Sequence, residues 1–459
     1  MRRFHVWLAL GGLVALTGLP GSLWAQGYSV NEHSTCAMAR AGTAVADPCP
    51  DGSAIYYNPA GLTQTGKGRT VVTVGSSFIA PRGDYTNDVT GIKTALNNKV
   101  FPVPHVYIAH GISDHLSAGI GLFAPYGLTT DWPSNSQVRF LGYKSVIRAI
   151  YVQPTLAAKL NEYISLGAGF DVNFLHVNLR QRLDLAPQQL PSPAPPGATF
   201  ANLGVPAGTD FADANLTGNG TGVGYHVGVL IKASDRISFG ARYMSRQRVK
   251  IDNGTVAFNP VSTGITLAGG NPFGAPAGTP LDAILAPEFA PGAPLSDQGA
   301  KTALRMPEQW GFGVAVKPVD HFTLLADVTL QHWKVFDTLA VNFDIAPQEV
   351  LPENDQNTTA WRFGGDYALS SSTNLRAGVL FHNGSEPTTS VTPNLPEGKR
   401  TEFTAGLGTA VSGALHVDLG YQYIHQQDRR GRTTPFGTPN NGLFSFYAHL
   451  FAASLSYAF

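Results

Sequence analysis

From about residue 70 onward the chain repeats one pattern, an apolar side chain alternating with a small or polar one. Alternation with period two gives a strand with two chemically different faces. Leu415, Val417, Leu419, Tyr421 and Tyr423 share one face, and His416, Asp418, Gly420 and Gln422 share the other. Trp310, Phe312, Val314 and Val316 oppose Gly311, Gly313 and Ala315 in the same way. The alternation predicts fourteen strands, near 70–80, 101–110, 115–124, 144–159, 162–180, 221–233, 236–250, 305–317, 321–337, 358–369, 374–383, 399–411, 414–426 and 443–459.

The connections sort strictly by length. Short ones, such as Leu160–Asn161, Ser234–Asp235 and Ser412–Gly413, alternate with long ones at 81–100, 125–143, 181–220, 251–304, 338–357, 384–398 and 427–442. An even strand number, tight turns at one end and long loops at the other mark an outer-membrane barrel. A secreted sandwich has no reason to sort its loops by end. In lipid an open sheet edge leaves backbone groups unpaired, so the sheet must close. The expected fold is all-β: a transmembrane antiparallel barrel of 14 strands.

The first residues read as an address. Arg2 and Arg3 precede an apolar run from Val6 to Leu19, then Pro20, Gly21 and the small Ala25. That is the order of a secretory signal, and the run is too short to span a bilayer. The chain divides into a signal at 1–25, a segment without alternation at 26–68, and the barrel at 69–459. The middle segment is long enough to fold into the barrel as a plug; a disordered periplasmic tail is the other reading. Export makes Cys36 and Cys49 candidates for a disulfide, with two buried thiols as the alternative.

Charged residues are only 14 % of the chain, against about 25 % in soluble domains. The formal net charge is +0, so no overall basic field recruits nucleic acid. The charges expected inside, Asp171, Arg242, Asp327, Arg362, Asp366 and Arg376 with Glu402 and Asp418, have both signs and predict a paired network. If Phe459 faces outward, Phe444, Phe446 and Leu450 face inward. An apolar lumen suits a channel for a hydrophobic molecule, and these three residues are expected to line its path. The loops 181–220 and 251–304 are apolar for exposed segments. Phe273, Leu281, Ile284, Leu285 and Phe289 are expected to form a capture groove, on a short helix capped by Thr279 with Pro280 first.

The runs Gly27-Tyr28-Ser29-Val30-Asn31-Glu32-His33-Ser34, Ala39-Arg40-Ala41-Gly42 and Tyr57-Asn58-Pro59-Ala60-Gly61-Leu62 resemble the N-terminal hatch of the long-chain fatty acid (FadL-type) outer-membrane transporters. Tyr126-Gly127-Leu128, Gln153-Pro154-Thr155-Leu156-Ala157, Leu324-Leu325-Ala326-Asp327-Val328 and Leu395-Pro396-Glu397 followed by Arg400 fit in the same order. The resemblance implies a hatch-plugged barrel in the outer membrane of a Gram-negative bacterium, passing fatty acids or, as in some relatives, aromatic or aliphatic hydrocarbons. It implies a kinked third strand, placed near Gly121, Pro125 and Gly127, that opens toward lipid. It also implies a stiff hatch turn at Asn58, Pro59 and Ala60, beneath the ligand, as the gate.

The Gly-x-Gly runs lie inside strands with no following helix, which removes the phosphate-binding geometry. There is no Gly-x-Ser-x-Gly elbow and no helical His pair, so no catalytic residue, metal or cofactor is expected. The expected partners are a hydrophobic small molecule, outer-membrane lipid and, through the terminal Phe459, the barrel assembly machinery; nucleic acid is not among them, and the protein is expected to be monomeric. The reading from a different class is a polar-solute porin or an adhesin, which large steady ion currents would favour.

Overall fold

The structure is a computed structural model that describes residues 28–191, 197–431 and 441–459. The leader with its cleavage site at Ala25 lies outside the described residues.

The predicted fourteen strands are present. In order they are Thr70–Asn87, Phe101–Gly111, Leu116–Asp131, Lys144–Lys159, Ile164–Asp184 and Asp210–Lys232. The seventh runs as Ile237–Met244 and Gln247–Pro260, the eighth as Gln298–Met306 and Gln309–Val319. Phe322–Gln331, Thr358–Ala368, Thr373–His382, Arg400–Ala410, Leu415–Gln426 and Gly442–Ala458 complete the set. Each pairs antiparallel with its neighbours, and the last strand closes on the first from Val71↔Ala458 to Asn87↔Gly442. Closure satisfies the backbone that lipid cannot.

The alternation sets the faces. Phe170, Val223, Phe403, Leu419, Phe451 and Leu455 are exposed on the outside, where lipid would cover them. Their inward neighbours Asp171, Gln422 and Ser454 are buried.

The main differences from the predicted strands lie on the long-loop side. The first strand continues to Asn87, the sixth starts at Asp210, and the seventh and eighth reach Pro260 and Gln298. The loops expected at 181–220 and 251–304 are correspondingly shorter. In 212–221 the outward residues include Asp213, Asn215, Thr217 and Asn219. Beyond the hydrocarbon a strand has no apolar stripe to reveal it, yet its ladder continues. The ninth strand, expected to reach 337, ends at Gln331, and a 3-10 turn at Trp333–Val335 drives the Trp333 ring into the interior at 0 % exposure.

Residues 28 to 64 fold inside the barrel. Two short helices, Thr35–Met38 and Ala54–Tyr57, and a 3-10 helix, Pro59–Gln64, are buried almost throughout. Ser34 caps the first helix, accepting from the Ala37 amide at 3.1 Å and donating to Asp51 at 2.6 Å. Cys36 and Cys49 are joined by a disulfide with Cα atoms 6.3 Å apart. The inward charges fasten this segment to the wall. Asp327 accepts the Ala44 and Val45 amides at 2.9 and 3.0 Å, and Arg362 donates to the Ala41 carbonyl at 2.9 Å. Arg40 lies 3.3 Å from Asp47 and 3.7 Å from Asp366; Arg376 joins Asp366 at 3.0 Å and bonds Asp418. Among the charges predicted to pair, the network is thus confined to Arg376 with Asp366 and Asp418, while Asp327 and Arg362 bond the hatch backbone and Arg242 bonds Gln309 and the Tyr56 carbonyl.

Candidate functional site

The second and third strands pair only from Val106↔Leu122 to Gly111↔Ser117. Above that point Phe101–His105 pairs with the first strand alone, and the third strand turns away. Its register to the fourth strand slips between Phe123 and Tyr126, around Ala124 and Pro125. The freed edge is taken up by the hatch. Val30 donates to the Pro125 carbonyl at 2.9 Å, and Gly127 donates to the Tyr28 carbonyl at 2.9 Å. A gap therefore separates two neighbouring strands of a closed sheet. Pro125 and Gly127 sit at the departure. Gly121 does not: it pairs regularly with Tyr107 and Gln153. The sequence carried a further signal, Phe101-Pro102-Val103-Pro104, because prolines lack the N–H that a ladder needs and settle at strand edges.

A cavity of about 510 Å³ fills the upper interior behind this gap. That size suits a small-molecule site. Tyr28, Ser29, Val30 and Glu32 of the hatch contribute to its wall. In strand order the rest of the wall changes character. Arg400 and Glu402 stand on the twelfth strand, Ile424 and Gln426 on the thirteenth. Phe446, Leu450 and Ile79 follow on the fourteenth and first, then Phe101, Val103 and Leu122 border the gap. Leu122 and Ile150 are each 42 % exposed on the outer surface as well, so the cavity reaches the lipid side. Its polar corner is lightly held. Arg400 donates to Gln426 at 3.0 Å and has Glu397 at 3.9 Å. Burial pushes the Glu397 carboxyl above its ordinary value, and the Arg400 charge offsets part of that.

Of the three lumen residues singled out by alternation, Phe446 and Leu450 line the cavity and Phe444 does not. Phe444 is fully buried in a separate cluster with Tyr85, Leu96, Trp132, Tyr143 and Val391, under the long loops. Alternation fixes the direction of a side chain, and the loops decide what it meets.

The Asn58-Pro59-Ala60 turn is not in the cavity lining. It is pressed against the wall nearer the short-turn end. A Cβ at Gly167 would lie 2.3 Å from the Pro59 carbonyl carbon, and one at Gly228 would lie 2.2 Å from Asn58 Oδ1. Asn58 accepts from the Ala60 amide at 3.2 Å and donates to the Val45 and Val229 carbonyls at 2.7 and 2.9 Å. The turn is hydrogen-bonded within itself and clamped to the wall.

The two apolar loops form a small core of their own, in which Leu281 and Leu285 are buried with Leu185, Phe200, Phe211 and Leu267. Phe273, Ile284 and Phe289 are half-buried at its margin. The short helix is present at Leu281–Leu285, but Thr279 is not its cap. Pro280 occupies that position, and the Thr279 hydroxyl donates to the Pro276 carbonyl at 2.8 Å instead.

One cluster has the form of a nucleophile relay. Thr155 Oγ1 lies 2.8 Å from His226 Nε2, and His226 Nδ1 bonds Asp171. All three are at most 4 % exposed, and Gln153 donates to the same Asp171 oxygen at 2.7 Å. None of the three lines the cavity.

Comparisons place this geometry among known proteins. The family profile described as "Outer membrane protein transport protein (OMPP1/FadL/TodX)" matches residues 17–459. The chain is 24 % identical to the long-chain fatty acid transport protein of Escherichia coli O6:H1 over 426 residues, covering 90 % of each chain. It is 27 % identical to a putative outer membrane protein of Neisseria meningitidis serogroup B, covering 90 % of this chain and 88 % of that one. The fold of a Pseudomonas aeruginosa FadL homologue superposes with a TM-score of 0.75 at 20 % identity, over 94 % and 99 % of the two chains. The Pseudomonas putida toluene transporter TodX superposes with a TM-score of 0.63 at 17 % identity, over 95 % and 98 %.

Proposed function

The chain belongs to the OMPP1/FadL/TodX family of outer-membrane transport proteins, which carry hydrophobic small molecules, and we propose that its own substrate is a long-chain fatty acid. The observation that supports this is the order of the cavity wall. Its polar corner at Arg400 and Gln426 suits a carboxylate, and the run Phe446, Leu450 and Ile79 toward Phe101 and Leu122 suits an alkyl chain. Arg400 is 22 % exposed and only loosely paired, so it has donors to offer. Each methylene withdrawn from water contributes about 0.8 kcal/mol, which rewards a continuous apolar wall. In this reading the half-buried Phe273, Ile284 and Phe289 help to collect the molecule outside. It enters the cavity and leaves sideways through the gap between the second and third strands. The piece that moves is Tyr28–Glu32, which contributes to the cavity wall and borrows its bonds from the kink.

The test is binding of oleate and of toluene to the purified protein and to Arg400→Gln. Loss of a charged hydrogen bond of about 1.5–3 kcal/mol should weaken oleate roughly 10- to 150-fold and leave toluene unchanged. A specific observation favours the neutral-hydrocarbon reading: Glu32, Glu397 and Glu402 share the cavity with Arg400 and would repel a carboxylate. Equal oleate binding by both proteins, with tight binding of toluene, would establish that reading in its place.

A further inference from the structure

Tyr225, Tyr243 and Trp310 stand together on the outer surface of the sixth to eighth strands, with ring centroids 5.8 and 4.5 Å apart in successive pairs. Aromatic residues at that position mark the lipid–water boundary on the long-loop side. Just beyond them the seventh strand is interrupted at Ser245–Arg246 and resumes at Gln247. From there the inward residues Gln247, Val249 and Ile251 are buried, while Arg246, Arg248 and Lys250 are exposed. The eighth strand adds Lys301 and Arg305, also exposed. Register places Arg305 directly opposite Arg248, and Lys250 opposite Ala303, between Lys301 and Arg305. Five cations thus share one patch, spread over 246–250 of the seventh strand and 301–305 of the eighth.

The patch is short of counter-charge. Asp337 approaches Arg305 at 3.8 Å with both side chains more than half exposed. Arg246, Arg248, Lys250 and Lys301 have no ion pair among the described residues. The exposed Asp252 makes none with them either, and Glu308 is engaged by His332 at 2.6 Å and by the Tyr243 hydroxyl at 3.3 Å. Like charges directly opposite on neighbouring strands are destabilising. The fourth and fifth strands extend the arc, with Arg148 opposite His176. On the other side of the barrel Arg82 stands opposite Tyr447, and the exposed Arg430 bonds Asp88. The outward positions of the twelfth to fourteenth strands carry Tyr421, Tyr423, Tyr447 and His449 and no Lys or Arg.

We propose that this patch, centred on Arg248, Lys250 and Arg305, is a binding site for the phosphorylated sugar head of the outer-leaflet glycolipid of the outer membrane. The patch begins immediately beyond the aromatic belt, on the side where the lipid head groups lie. Guanidinium groups match phosphate oxygens in a two-pronged geometry, and the ammonium groups add point charge. A bound phosphate between Arg248 and Arg305 converts their repulsion into two attractions. The site is outside the barrel and distinct from the transport cavity.

The experiment measures lipid retention by the full-length purified barrel in native mass spectrometry. The probes are diphosphorylated lipid A, the same lipid A with both phosphates removed, and phosphatidylglycerol. The expected result is retention of diphosphorylated lipid A at least about tenfold above the dephosphorylated form, with the difference abolished in Arg248→Gln/Lys250→Gln/Arg305→Gln. The comparison on the unaltered protein needs no variant, so a variant that folds poorly does not spoil the test. Equal retention of the two lipid A forms by the unaltered protein would overturn the proposal. Phosphatidylglycerol retained as well as diphosphorylated lipid A would also overturn it, because the patch would then read any lipid phosphate. So would a correctly folded triple variant that keeps the full preference.

Discussion

The lower and upper halves of the barrel interior are lined by the same alternating strands, yet one is filled and the other holds a cavity. Below, toward the short turns, residues 34 to 64 are tied by a disulfide, by Arg40 and Arg376 with their acids, by Arg362 on the Ala41 carbonyl, and by the Asn58 turn seated on Gly167 and Gly228. Above, Tyr28–Glu32 is held to the third strand by two backbone bonds near Pro125 and leaves the cavity beside it. The contrast teaches where motion is cheap. Opening the lower half means uncovering buried charges, whereas opening the upper half means releasing a short segment held by two backbone bonds and by neutral contacts such as Ser29 to Gln331 and Tyr28 against Trp333.

Breaking the lower half should have the largest effect. Arg376→Ala removes the cation shared by Asp418, at 2 % side-chain exposure, and Asp366, leaving them His416 at 3.3 Å and Arg40 at 3.7 Å. Removing one member of a buried pair costs about 3–5 kcal/mol, so the unfolding midpoint in denaturant should fall by that amount. A change below about 1 kcal/mol would mean that this network does not lock the hatch.

Fixing the upper half comes next. A Cβ at Gly127 would lie 3.5 Å from Val30 Cγ2, close enough for a bridge in Val30→Cys/Gly127→Cys. Oxidised protein should take up its hydrophobic ligand at least about tenfold more slowly than the same protein reduced, while still binding it; a rate change of that size is about 1.4 kcal/mol. Asn58→Ala, which loosens the lower turn, should by contrast leave uptake rates near normal. Full uptake with the bridge closed would eliminate movement of Tyr28–Glu32 as the release step.

Phe446→Asp tests the cavity itself and should weaken ligand binding by about 2–3 kcal/mol, while Phe444→Asp should lower stability and change affinity less. Equal affinity losses would mean that the cavity extends under the loops to Phe444.

The smallest effect concerns pH. Burial, then the neighbouring Glu397 and Glu353, push the Asp355 carboxyl up to about 8 from its ordinary value near 3.8. Burial raises Glu386 and Glu397 as well. The folded loops thus hold protons that the unfolded chain has released. The stability they supply is complete at acid pH, declines as pH rises from about 4, and is lost above about 8. Hydrogen exchange of residues 383–399 should therefore be faster at pH 9 than at pH 5 after correction for intrinsic rates. Asp355→Asn should flatten the difference.

Much of this was legible in the chain. Alternation gave the fourteen strands, their faces and the sorting of the loops, because lipid outside and a polar plug inside impose opposite demands on successive residues. The prolines at 102, 104 and 125 mark the place where pairing fails. Strand ends were misread, as at Asp210, because beyond the hydrocarbon neither face is required to be apolar while the ladder continues.

What the sequence determined by itself was therefore local: period, face, sign of charge, and the stiffness of the Asn58-Pro59-Ala60 turn. What only the tertiary structure decided was who meets whom. Phe444 and Phe446 share a face, and one packs under loops while the other lines the cavity. The stiff turn rests on the wall at Gly167 and Gly228, and the hatch borrows the free edge of the third strand. Leu281 and Leu285, apolar and in a loop, are buried against a second loop some eighty residues earlier in the chain. Each of these depends on contacts between residues far apart in sequence, and side-chain periodicity carries no information about them.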